Sequence, residues 1–193
     1  MAERAQNARP FRIALTGGST PREAYERLAD LELDWAPWHV WWSDERLVPP
    51  SHPDSNERLA RETLLARVAI PEEQIHPLRS PDLELPDTFD LVLLGVGPDG
   101  HTASLYPGHE DELADTGPIV HVPAPGMPPA HPRLTFSLAY LNAQPVVAFL
   151  VAGAGKREIL ARMLAGDESL PVARVRAART VVLADEAAAP QAM

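Results

Sequence analysis

The groups in this chain best suited to chemistry are concentrated in Gly95-Val-Gly-Pro-Asp-Gly-His101-Thr-Ala-Ser-Leu-Tyr-Pro-Gly108. An apolar run, Phe89 to Leu94, leads into two glycines and an Asp-Gly-His turn, so an imidazole stands just past the end of a buried strand. The carboxyl ends of strands are where open α/β sheets bind ligands. With Asp99 two residues away, His101 is a candidate general base, oriented and charge-stabilised by that carboxylate. Taken alone, Asp-Gly-His reads better as a tight turn carrying a surface histidine. The glycines and the small residues after His101 shift the balance, because they let a ligand approach the backbone.

Three further groups of residues suit an anion. Thr16-Gly-Gly-Ser-Thr20-Pro21 follows a strand and opens a helix. Gly17 and Gly18 permit a close approach, Ser19 or Thr20 caps the helix, and Pro21 fits its first position. Free amides and the helix dipole there attract negative charge, although a well-capped turn with no ligand reads equally well. Trp41-Trp-Ser-Asp-Glu-Arg46-Leu-Val-Pro49 sets Arg46 beyond a strand end, a fork of donors for phosphate or carboxylate that Asp44 and Glu45 could hold in place. The plain alternative is a surface ion pair of little worth. Lys156, beside Gly153 and Gly155, is the only lysine among 17 basic residues, which invites a functional reading, with a solvated charge at a helix start as a substantial alternative.

The elements that must position these groups alternate in type. Strands are expected at Phe11–Leu15, His39–Trp42, Phe89–Leu94, Ile119–Val122, Arg133–Phe136, Val146–Val151 and Thr180–Leu183. Helices are expected at Pro21–Leu31, with Ala24, Leu28 and Leu31 on one face, at Asn56–Val68 behind an Asp54 or Ser55 cap, and at Lys156–Leu164. Such alternation implies an α/β fold, a Rossmann-like, mostly parallel sheet with helices on both faces, in a single domain. Pro123–Pro132 reads as a surface loop, and the Ala187–Met193 tail as loose. The expected division is a polar segment over 1–10, the domain over 11–188 and a flexible tail over 189–193.

Composition narrows the function. The formal net charge is −10, which argues against nucleic acid. An anionic substrate would therefore need cations concentrated in one cleft. No apolar stretch is long enough to span a bilayer, Met1–Pro10 lacks the apolar core of a signal peptide, and cysteine is absent. A soluble, cytoplasmic protein without disulfides or thiolate chemistry is the expectation. His109 reads as a surface residue. His39, His52, His76, His121 and His131 show no metal-ligand spacing, and Asn56 reads as a turn or cap residue.

Together these segments resemble the 6-phosphogluconolactonase family. Gly-Gly-Ser-Thr-Pro, Asp-Glu-Arg with Val-Pro, Ser-Asn, and Gly-x-Gly-x-Asp-Gly-His-Thr-Ala-Ser-Leu-aromatic-Pro-Gly stand in the family's order. The likeness continues through Arg133-Leu-Thr, Val151-Ala-Gly with Lys156, Leu170-Pro-Val-Ala-Arg174 and Asp185. The resemblance implies hydrolysis of 6-phospho-D-glucono-1,5-lactone to 6-phosphogluconate in the pentose phosphate pathway. It implies that His101 activates water, that Asp99 supports it, and that Thr16, Gly17, Gly18, Ser19, Thr20, Arg46 and Lys156 hold the 6-phosphate with Arg133 nearby. It implies no metal and no organic cofactor, a phosphorylated sugar lactone as partner, no membrane or nucleic acid, and a monomer or homodimer.

Two departures from the family stand out. Only about ten residues precede Phe11 where the family has a helix, so with this shortened N-terminus one face of the sheet is expected to lack a covering helix. The family's helix between Leu78 and Phe89 is also excluded here by Pro81 and Pro86. Two rival functions share the fold's features. An aminosugar-phosphate isomerase/deaminase carries an Asn-Glu-containing loop after the histidine, where this chain has Thr102-Ala-Ser-Leu-Tyr-Pro. A non-catalytic sugar-phosphate-binding module would keep the phosphate cradle but could dispense with Asp99 and His101.

Overall fold

The computed structural model describes residues 9–124 and 130–190. Five strands form one parallel sheet: β1 (Phe11–Leu15), β2 (Trp38–Trp42), β4 (Leu91–Gly95), β7 (Val146–Val151) and β8 (Arg179–Ala184), in the order β2-β1-β4-β7-β8. Their apolar runs suit burial on two faces. Three further strands, β3 (Asp44–Arg46), β5 (Ile119–Val122) and β6 (Arg133–Phe136), form a separate antiparallel sheet in the order β3-β6-β5. That second sheet was not foreseen, because its strands are short and pair across long stretches of chain.

Side chains of the parallel sheet alternate between two cores. On one face Ile13, Leu15, Val40 and Trp42 pack with Tyr25 of α1 (Ser19–Ala29) and with Ala60 of α2 (Asn56–Thr63). After the short α3 (Glu110–Ala114), the other face is covered. Val92, Leu94, Val147 and Phe149 there pack with Leu141 of α4 (Leu138–Asn142), Ile159, Leu160 and Met163 of α5 (Arg157–Leu164), and Val172 of α6 (Pro171–Arg174).

Helix cover on the α1 side stops short of the sheet edge. Leu150 and Leu183 are register partners on β7 and β8, and Leu183 is 55% exposed. Ala24, Leu28 and Leu31 share one side, as expected, but that side is not the most buried one. Pro21 and Tyr25 are buried, whereas Leu31 is 54% exposed and, with Ala24 and Leu28, lines an open trough against β7 and β8. Among the described residues, no helix covers that strip of the sheet edge, and residues 79–90 are non-helical, in keeping with Pro81 and Pro86.

Other departures from the sequence reading are local. The helix expected to Val68 ends at Thr63, followed by a 3-10 turn over Leu65–Arg67, and the Phe89 strand begins at Leu91. The chain around Ala187 is tied down. Asp185 accepts the amides of Gly153 and Ala188, Arg157 donates to the Ala187 carbonyl, and Ala188 is buried. The expected 1–10 segment, Pro123–Pro132 loop and 189–193 tail lie partly outside the described residues. No helix among the described residues is long and apolar enough to cross a membrane.

Candidate active site

Parallel β1, β4 and β7 end at the same edge of the sheet, so the turns that follow them share one crevice. Its walls include Thr16, Gly17, Gly18, Ser19 and Thr20 after β1, Gly95–Pro98 and His101 after β4, and Lys156 after β7. The antiparallel sheet contributes Asp44, Arg46 and Arg133. Of the residues expected to act on or hold the substrate, all but Asp99 line this cleft, and Asp99 contacts His101.

The β4 turn is built to hold that pair. Gly97 N–H donates to the His101 carbonyl (2.8 Å), and Gly100 N–H to the Gly97 carbonyl (3.1 Å). Asp99 Oδ1 lies 2.6 Å from His101 Nδ1 and also accepts the His101 amide at 3.1 Å. A Cβ at position 97 would sit 2.1 Å from His101 Nδ1, so only glycine leaves room for the pair. Burial works to raise the Asp99 pKa, but the His101 hydrogen bonds and charge prevail and hold it at about 2. Asp99 is therefore ionised and acts only as an acceptor. Nδ1 therefore donates to the carboxylate, which turns Nε2 away from Asp99. Further along, Ser104 Oγ donates to Asp44 Oδ2 (2.7 Å) and Ser104 N–H to Thr135 Oγ1 (3.1 Å), fastening this turn to the antiparallel sheet.

The β1 turn is shaped differently from the sequence expectation. Gly18, at φ 113°, occupies the N-cap of α1, and neither Ser19 nor Thr20 caps it. Pro21 is the third helical residue rather than the first. No side chain therefore caps the first turn of α1. Tyr25 fixes the turn from below: its hydroxyl donates to the Thr16 carbonyl (2.8 Å) and accepts the Thr16 amide (2.9 Å). Sequence reasoning missed Tyr25, since nothing local distinguishes it from a core aromatic.

The Asp-Glu-Arg segment also works differently. Neither acid holds the Arg46 fork. The Glu45 carboxylate accepts the amides of Arg46 (2.6 Å), Asn56 (2.8 Å) and Glu57 (2.7 Å) and the Ser55 hydroxyl (3.0 Å), so it secures the start of α2, whose cap is Ser55. Asp44 instead accepts from Asn56 Nδ2 (3.1 Å) and from Ser104. Arg46 Nη1 donates to the Asp54 carbonyl (2.5 Å), and its buried Nε has no partner among the described residues.

Asn56 is more than the cap residue expected. It is buried, lines the cleft and leaves Oδ1 without a partner among the described residues, 1.8 Å from where a Cβ on Gly17 would stand. The adjoining Ser-Asn pair was the available signal.

Electrostatics explain how an acidic protein can take an anion. Arg46 and Arg133 are direct register partners across β3 and β6. Like charges placed opposite each other destabilise an antiparallel pair, and Arg133 is only 4% exposed. Two guanidinium groups thus stand side by side on the cleft wall. Lys156 adds a third cation. Its burial lowers its pKa, against the opposing pull of Asp99.

Comparisons with known proteins identify the family and the fold. The sequence pattern of the family described as glucosamine-6-phosphate isomerases/6-phosphogluconolactonase matches residues 1–183. A 6-phosphogluconolactonase of a Nostoc species is 43% identical, the match covering 80% of this chain and 72% of the relative. One from a Synechocystis species is 41% identical over 86% of this chain and 74% of its own. The crystal structure of 6-phosphogluconolactonase from Thermotoga maritima superposes with a TM-score of 0.81 at 32% identity, covering 95% of this chain and 89% of that one.

Proposed function

The chain belongs to the family of glucosamine-6-phosphate isomerases and 6-phosphogluconolactonases, and from that premise we propose how it hydrolyses 6-phospho-D-glucono-1,5-lactone to 6-phosphogluconate. His101 Nε2 removes a proton from water as the oxygen attacks the lactone carbonyl carbon. The imidazolium that forms is stabilised by the Asp99 carboxylate, 2.6 Å from Nδ1. When the tetrahedral intermediate collapses, the bond to the ring oxygen breaks and His101 returns the proton to that oxygen. The products are an open-chain hydroxyl and a carboxyl group, which ionises.

The phosphate sits remote from the reacting carbon and supplies binding energy and orientation. Arg46, Arg133, Lys156 and the Thr16–Thr20 turn hold it in this reading. The buried, unpaired Arg46 Nε is a ready donor, and Asn56 Oδ1 a ready acceptor for a sugar hydroxyl. One observation carries the proposal: the oriented His101–Asp99 pair and the facing arginines share a single cleft.

The test is lactone hydrolysis by the wild type and by His101→Ala, corrected for the spontaneous rate, alongside binding of 6-phosphogluconate. His101→Ala should lose most turnover and keep product binding. Arg46→Ala and Lys156→Ala should weaken product binding about 10–100-fold, the worth of a charge-assisted hydrogen bond. Equal losses of turnover and binding in all three variants would show the roles to be wrongly divided. The Thr102-Ala-Ser-Leu-Tyr-Pro loop favours lactonase over deaminase chemistry, and turnover of glucosamine 6-phosphate without lactone hydrolysis would reverse that assignment.

A further inference from the structure

Outside the cleft, folding assembles a second group of side chains that no single stretch of sequence announces. His52 and Asp54 lie in the connection from β3 to α2, and His131 precedes β6, 77 residues beyond Asp54. The antiparallel β3–β6 pair brings the two segments together, and Leu47 N–H donates to the Pro132 carbonyl (2.8 Å) just beyond it. One nitrogen from each imidazole and one Asp54 carboxylate oxygen lie within 4.8 Å of one another. His131 Nε2 is 2.9 Å from Asp54 Oδ2, and His52 Nδ1 is 3.8 Å from the same oxygen. The two rings meet edge to face at 5.1 Å.

We propose that His52, Asp54 and His131 form a binding site for a divalent transition cation such as Zn2+. Two imidazoles and one carboxylate are a common set of three protein ligands for zinc, with water completing the tetrahedron. At Zn–N and Zn–O distances near 2.0–2.1 Å, tetrahedral ligand atoms stand about 3.4 Å apart, so the observed 2.9 and 3.8 Å bracket the required spacing. Nitrogen donors disfavour Mg2+ and Ca2+, which take oxygen. Binding exchanges existing hydrogen bonds for metal bonds: His131 gives up its contact with Asp54, and His52 Nδ1 gives up the Asp54 amide, now 3.1 Å away. All three side chains are partly exposed, so a cation can reach them. The site borders the substrate cleft, because the Asp54 carbonyl also receives Arg46 Nη1.

The experiment uses the full chain without a histidine tag, stripped of metal. Zn2+ is titrated by calorimetry and Co2+ by visible absorption. The expected result is one Zn2+ per chain with micromolar affinity, and Co2+ bands characteristic of tetrahedral nitrogen and oxygen ligands. His52→Ala and His131→Ala should each weaken binding at least about ten-fold. The double variant His39→Ala/His76→Ala, which removes the other close histidine pair, should leave it unchanged. Thermal melts report folding, and His131→Gln replaces the alanine variant if that fails to fold. The proposal is overturned if the wild type shows no saturable binding below millimolar Zn2+. It is equally overturned if binding survives loss of both His52 and His131, or if it disappears with His39 and His76.

Discussion

Replacing Asp99 with Asn tests the catalytic pair most directly. The carboxylate lies 2.6 Å from His101 Nδ1 and is held at a pKa of about 2, against an ordinary 3.8. At 1.36 kcal/mol per pKa unit, that difference corresponds to about 2.5 kcal/mol of net preference for the ionised carboxylate, shared among the burial cost, the hydrogen bond and charge of His101, and backbone amides. Asp99 is 28% exposed, and solvent screening reduces the usable part to about 1–2 kcal/mol. Since imidazolium charge develops only as water is deprotonated, its loss falls on kcat. A decrease of roughly 5–30-fold follows from the charge alone. A larger loss, towards the ~10⁴-fold of a wrong-tautomer histidine, follows if the Asn amide donates to Nδ1 and places the proton on Nε2. KM should stay within about two-fold, because the phosphate contacts are untouched. Hydrolysis of a lactone to a carboxylate releases a proton, so indicator absorbance in weak buffer follows the reaction once the uncatalysed rate is subtracted. An Asp99→Asn enzyme with wild-type kcat would refute the argument that this carboxylate supports the base.

The same pair gives a pH signature in stability. A carboxyl group whose folded pKa is depressed contributes fully above its unfolded value and loses that contribution as pH falls through the folded one. The stability difference between wild type and Asp99→Asn should therefore change by about 1–2 kcal/mol between pH 5 and pH 2, mostly below 3.8, in urea titrations at each pH. Tyr25→Phe removes both bonds to the Thr16 backbone and leaves two buried polar groups unpaired. A loss of about 2–3 kcal/mol and a drop in Tm of roughly 5–10 °C are expected by calorimetry. Gly97→Ala drives a methyl group into the imidazole. It should abolish most turnover while phosphorylated product still binds, and near-normal kcat would mean that the His101–Asp99 contact is dispensable.

Much of this protein can be read residue by residue. The apolar runs of Phe11–Leu15 and Val146–Val151 and the turn chemistry around His101 and Gly17 are local properties, and their strands, turns and place at the strand ends follow from them. Ile119–Val122 and Arg133–Phe136 were also placed correctly as strands. What their sequence does not carry is a partner. The registry of β3 on β6 sets Arg46 against Arg133 and His131 against Asp54, and it depends on which distant segments pack together. The duties of Glu45 and Asp44 likewise depend on where α2 and the His101 turn dock, so adjacency to Arg46 misled. Local propensity and hydrophobic period act over a few residues and are legible in order along the chain. Charge pairing, ligand sets and the satisfaction of buried polar atoms are decided by long-range packing, and only the folded arrangement discloses them.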